Sequence, residues 1–125
     1  MIALDASALL ALLFREPGHQ AVADALAESC ASTVNLAEVL GRFTRDGHSG
    51  LQVLARLQAT PIQWLDFDAQ HAALAADLLP RTRDRGLSLG ARACLALALT
   101  QSCSAMTADA AWQDLDLGIE VVLIR

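Results

Sequence analysis

Short apolar runs alternate with helix-length stretches along the whole chain, and this alternation is its strongest constraint on fold. Apolar runs suited to strands lie at 1–4, 30–34, 61–65, 104–106 and 120–124. Between them the apolar positions recur at helical spacing. Helices are expected over 7–14, 20–27, 35–46 (ending at Gly47), 49–59, 89–101 and, briefly, 109–112. In the 49–59 helix, Leu51, Leu54 and Ala55 are spaced for one buried face. Asp68 is placed to cap a longer helix to about Arg85, kinked near Pro80. Strands that alternate with helices build a layered α/β fold with a mostly parallel sheet. In such sheets, ligands bind beyond the carboxyl ends of the strands.

Composition narrows the class. The 125 residues fit a single domain, 1–125. Hydrophobic residues make up 54% and the net charge is −5, which excludes a disordered chain. No uncharged apolar stretch is long enough for a membrane span, and the start carries no basic region of a secretory signal. The three cysteines, Cys30, Cys94 and Cys103, form no C-x-x-C pair and sit among apolar residues. They read as buried, reduced thiols in a cytoplasmic setting. All nine basic residues are Arg, so an acidic partner such as nucleic acid would meet arginine alone.

Three acids fall where the expected sheet would place a site. Asp5 follows the first strand, Glu38 lies in the first turn of the helix after the second, and Asp109 follows the fourth. Each also has a purely structural reading. Asn35 to Glu38 has the pattern of a capping box, and Asp109 is suited to cap the short helix after it. Their convergence on one edge favours a hard-oxygen site for Mg²⁺ or Mn²⁺. Such ions promote phosphodiester hydrolysis. Ser7 and Thr107 flank two of the acids and are candidates to orient water or phosphate. Arg81, Arg83, Arg85 and Arg92, with Arg42 and Arg45, are candidates for phosphate contact, although solvated helix ends explain any one of them. His19, His48 and His71 lack metal-ligand spacing and are expected at the surface. Trp64 and Trp112 are expected in the core.

The run from Gly86 to Ala98 completes a pattern with the segments beginning at Asp5, Asn35, Thr107 and Val121. In their order and spacing these segments resemble the PIN-domain ribonucleases, and among them the VapC toxins of type II toxin–antitoxin systems. The resemblance covers essentially the whole chain. It implies a PIN-like three-layer fold, with a central, mostly parallel sheet of about four or five strands flanked by helices. It also implies a Mg²⁺- or Mn²⁺-dependent endoribonuclease acting on structured RNA such as tRNA or rRNA. Its partners would be a VapB-type antitoxin, lying over a groove that includes the early helices, and a second copy in a homodimer. Asp5, Glu38 and Asp109 match three of the family's acidic positions. At the fourth, where the family carries Asp, this chain has Ala91. Ser88 is placed to cap that helix, which puts Ala91 at its third residue; alanine keeps the helix but offers no ligand. Two origins are open: a naturally degenerate, non-catalytic PIN-like binding module, or an original Asp changed to Ala. The intact flanking pattern favours the second.

Other phosphate chemistries fit worse. By resemblance, a phosphorelay receiver needs a Lys, and this chain has none. A haloacid-dehalogenase-type phosphatase would show Asp-x-Asp where this chain reads Asp5-Ala6-Ser7. No P-loop or dinucleotide fingerprint is present.

Overall fold

Alternate residues of each central strand face opposite layers, and this divides the core in two. In the computed structural model, which describes residues 1–125, the strands are β1 (Ile2–Leu4), β2 (Ser29–Ser32), β3 (Gln63–Leu65), β4 (Ser104–Thr107) and β5 (Val121–Leu123). The helices are α1 (Ala6–Phe14), α2 (His19–Ala25), α3 (Thr33–Arg45), α4 (Gly50–Gln58), α5 (Ala69–Arg81) and α6 (Leu89–Gln101). Ala3, Cys30 and Ala105 face one core with Cys94, Leu95, Leu97 and Trp112. Their strand neighbours Leu4, Ala31 and Met106 face the other, with Leu9, Val39 and Leu57. Helix α6 is buried continuously from Ala93 to Ala98, as a helix apolar on all sides must be.

All strand pairs are parallel, in the order β3-β2-β1-β4-β5. The chain builds outward from β1 to β3, then returns to lay β4 on the other side of β1. The strand order therefore reverses between β1 and β4, and a crevice opens beyond their carboxyl ends. This is the expected three-layer α/β architecture.

Several local expectations are corrected. Helix α3 begins at Thr33, with Ser32 as its cap accepting from the Val34 N–H at 3.1 Å. Asn35 is therefore not a cap, and Glu38 lies beyond the first turn. On α4 the buried residues are Val53 and Leu57, whereas Leu51 is 79% exposed. Asp68 does cap α5, accepting from His71 N–H at 2.9 Å. The α-helix nevertheless stops at Arg81, and a separate 3₁₀ turn covers Arg83–Arg85. Residues 110–112 form a 3₁₀ turn capped by Asp109. His71 is buried rather than superficial, with its Nε2 3.3 Å from Thr100 Oγ1. Trp112 is fully buried and Trp64 partly so, and all three cysteines are free thiols. No helix is long and apolar enough to cross a membrane.

Candidate active site

The end of β1 and the end of β4 are joined by a small hydroxyl network around Asp5. The Asp5 N–H donates to Met106 O at 3.2 Å, which sets the two strand ends side by side. Asp5 Oδ1 accepts from Ser7 Oγ at 2.7 Å and from the Ala8 N–H at 2.9 Å. Asp5 Oδ2 accepts from Thr107 Oγ1 at 2.6 Å. The two hydroxyls are tied in turn. Ser7 Oγ accepts from the Ala108 N–H at 2.8 Å, and Thr107 Oγ1 accepts from the Asp109 N–H at 3.0 Å. Burial pushes the Asp5 carboxyl above its ordinary range; the Thr107, Ser7 and Ala8 donors pull it down, and the Glu38 charge raises it. Ser7 and Thr107 thus act first on Asp5, holding it in one orientation.

Glu38 is reached from α3. Its Oε1 accepts from Asn35 Nδ2 at 2.8 Å, and the same nitrogen donates to Gly90 O at 3.0 Å. A Cβ on residue 90 would overlap the Glu38 carboxylate, so the carboxylate rests directly on the glycine Cα. Ser88 caps α6 and accepts from the Ala91 N–H at 3.2 Å, which makes Ala91 the third helical residue, as expected. Asp109 is exposed, and its Oδ1 accepts from the Ala111 N–H at 2.9 Å in the capping role that its sequence position allowed.

One cleft of about 230 Å³ takes its lining from Asp5, Ser7, Asn35, Glu38, Ala91 and Asp109, among others. Thr107 lies beneath it through its bond to Asp5. The fold therefore brings the three acids and Ala91 to a single depression. It does not draw the acids into a cage, because no three Asp, Glu, His or Cys side chains stand close enough together to hold an ion unaided. The chemistry of the three acids suits a hard divalent cation: each offers carboxylate oxygens, and burial disfavours the Asp5 charge. Larger depressions exist elsewhere, such as one of about 550 Å³ beside Met1 and Gln63, but no acids converge there.

The arginines are mostly engaged. Arg42 and Arg45 pair with Asp46, Arg81 with Asp77 and Arg85 with Asp84. Arg85 also donates to the carbonyls of Ala111 and Gln113, and Arg92 to Ala75 O at 2.8 Å. Arg83 is exposed. Sequence reasoning missed Asn35 as part of the cleft and Gly90 as the residue against which Glu38 rests. A glycine in the first turn of an otherwise strongly helical segment was the available signal for the second.

The PIN domain model matches residues 2–117, and the chain belongs to the PIN domain family. Curated protein sequences return no match. Among solved structures, the chain is similar to the DNA-bound VapBC of Salmonella typhimurium, with a TM-score of 0.78 at 15% identity over 99% of this chain and 98% of that one. It is similar to FitAcB of Neisseria gonorrhoeae, with a TM-score of 0.73 at 21% identity over 99% and 98%. It also resembles VapC20 of Mycobacterium tuberculosis, a sarcin–ricin-loop-cleaving toxin, with a TM-score of 0.72 at 19% identity over 88% and 91%. At these identities the likeness is one of fold.

Proposed function

We propose that this chain, a single PIN-like domain over residues 1–125, is the toxin of a toxin–antitoxin pair: a Mg²⁺- or Mn²⁺-dependent endoribonuclease for structured RNA, tRNA or rRNA. We further propose that Ala91 stands where an Asp completes its acidic set, so that the chain as written is impaired. The observation that carries this reading is the shared cleft: Asp5, Glu38, Asp109 and Ala91 line one depression at the strand-order reversal of a PIN fold. VapC20, similar in fold, is a sarcin–ricin-loop-cleaving toxin.

Asp5, Glu38 and Asp109 would hold the cation. When bound, such an ion polarises a phosphoryl oxygen and makes water a stronger nucleophile. The chain's own residues do the positioning. Ser7 and Thr107 donate to opposite oxygens of Asp5 and prevent its rotation. The amino end of α6 turns its free N–H groups and positive dipole end toward the cleft side of residues 88–91, a favourable setting for a phosphate. A carboxylate at position 91 would lie in that same first turn.

An antitoxin helix would dock on the early helices. Phe14 is 41% exposed on α1, stacks on Phe43 of α3 with centroids 5.0 Å apart, and carries Arg42 over its ring. The exposed Leu79 and Leu89 are candidate contacts for a homodimer. Free thiols fit a cytoplasmic setting.

The test is RNA cleavage by the Ala91→Asp variant with and without EDTA. Divalent-metal-dependent cleavage that EDTA abolishes is expected, with the parent chain nearly inactive. A variant that cuts no RNA and binds no metal overturns the enzyme reading. It would leave a second one, a non-catalytic binding module.

A further inference from the structure

Asn35 is fully buried, and its side chain spends both N–H donors across the boundary between two helices. One acceptor is Glu38 Oε1, three residues on and on the same face of α3; the other is the backbone carbonyl of Gly90 in the first turn of α6. Gly90 closes the arrangement from the far side, because only a residue without Cβ lets the Glu38 carboxylate lie on its Cα. Asn35 Oδ1 is buried with no donor, in a side chain that lines the cleft.

No other small side chain does this. Ser and Thr offer one donor, Asp would repel Glu38, and Gln would carry its amide one methylene too far. The bond to Gly90 O also holds the backbone one residue before position 91. The same amide therefore sets how far Glu38 stands from that position.

We infer that Asn35 is a positioning residue of the cleft: with Gly90 it clamps the Glu38 carboxylate and fixes its spacing from residue 91. This rests on the reading of the cleft as a metal-dependent nuclease site, so the test has one arm that needs no metal. In that arm, ¹⁵N NMR of the metal-free chain is expected to show Asn35 side-chain N–H protons that exchange slowly and lie apart in shift. Glu38→Ala should move one of them sharply and leave the other, bonded to Gly90 O, protected. Two averaged, rapidly exchanging protons would overturn the clamp.

The second arm measures Mn²⁺ binding, by the EPR signal of the free ion, in the Ala91→Asp background. Asn35→Ala is expected to weaken binding tenfold or more, the usual effect of losing a group that orients a ligand. Gly90→Ala should do the same from the opposite side while leaving Asn35 in place. Adding Asn35→Ala to Glu38→Ala should change binding less than twofold, since Asn35 acts through Glu38. If Asn35→Ala does not fold, the near-isosteric Asn35→Leu, with neither donor nor charge, replaces it, with the same loss expected. A lowered melting temperature with unchanged Mn²⁺ affinity in both Asn35 and Gly90 variants would mean a purely structural tie and overturn the inference. If no variant, Ala91→Asp included, binds Mn²⁺, it is the metal reading of the cleft that fails, and the NMR arm alone decides the clamp.

Discussion

Placing a carboxylate at position 91 should convert metal binding into folding stability. Residue 91 is the third residue of α6, so an Asp there gains from the helix dipole about what it loses in helix propensity, roughly 0.5 kcal/mol each way. The new charge also faces Asp5, Glu38 and Asp109 across one cleft. Without metal, Ala91→Asp should therefore be no more stable than the parent. With Mn²⁺ at about a hundred times its dissociation constant, linkage adds ~2.7 kcal/mol. A chain of 125 residues unfolds with an entropy of roughly 260 cal/mol/K, so the melting temperature should rise by about 10 °C. The parent lacks one carboxylate. If its affinity is ten- to a hundredfold weaker, the same Mn²⁺ gives ~0.4–1.4 kcal/mol, or about 2–5 °C. Differential scanning calorimetry with Mn²⁺ and then EDTA reads both numbers. Equal shifts in the two proteins, or none in Ala91→Asp, would refute the claim that residue 91 belongs to a cation site.

Thr107→Val removes the shortest donor to a buried carboxylate and should destabilise the metal-free protein by about 1–3 kcal/mol in urea titrations; a loss under 0.5 would show that Asp5 does not depend on it. With no Lys and no Tyr in the chain, cysteines are its only side chains that titrate through moderately alkaline pH. Burial pushes the Cys30 thiol up to about 12 and Cys94 well above its ordinary 9.0. The folded state thus keeps protons that the unfolded state gives up. Burial raises Cys103 as well, so stability should hold below pH 9 and fall above it by up to ~1.4 kcal/mol per pH unit for each thiol, a slope that Cys30→Ala should cut by about a third to a half. Leu57→Ala should cost about 2–5 kcal/mol and Leu51→Ala under 0.5, the reverse of what apolar spacing on α4 implies.

The order and type of the elements were legible because period-2 and period-3.6 patterns alternate so regularly, and α6 is recovered with its ends in place. The misplaced start of α3 has a physical cause. Thr33 and Val34 are β-branched and favour a strand. Yet β2 pairs with β1 only as far as Cys30 and with β3 only as far as Ser32, so the ladder has nothing left to offer them and Ser32 caps the helix at once. Asp5, Glu38 and Asp109 could be placed at one sheet edge because each follows a strand closely. The bond from Asn35 to Gly90 spans 55 residues, and the carbonyl partners of Arg85 lie 26 and 28 residues away. Nothing in a local pattern reports such pairs.

The acids of the cleft are held with graded firmness, and this says what a side chain at position 91 could add. Asp5 is buried under three donors, Glu38 is pinned by one amide against a glycine, and Asp109 is exposed with one capping bond. The fold needs Asp5 and uses Asp109. At position 91 the N–H goes to Ser88 Oγ whichever side chain follows, and the methyl group packs, half-buried, against one core. Alanine, the best helix former, satisfies that requirement fully. A change of side chain there costs folding little more than one methyl group's packing, and most of its effect falls on the charge that the cleft can present. For that reason Ala91→Asp separates chemistry from stability more cleanly than the loss of Asp5 would, since removing Asp5 also dismantles the hydroxyl network that joins β1 to β4.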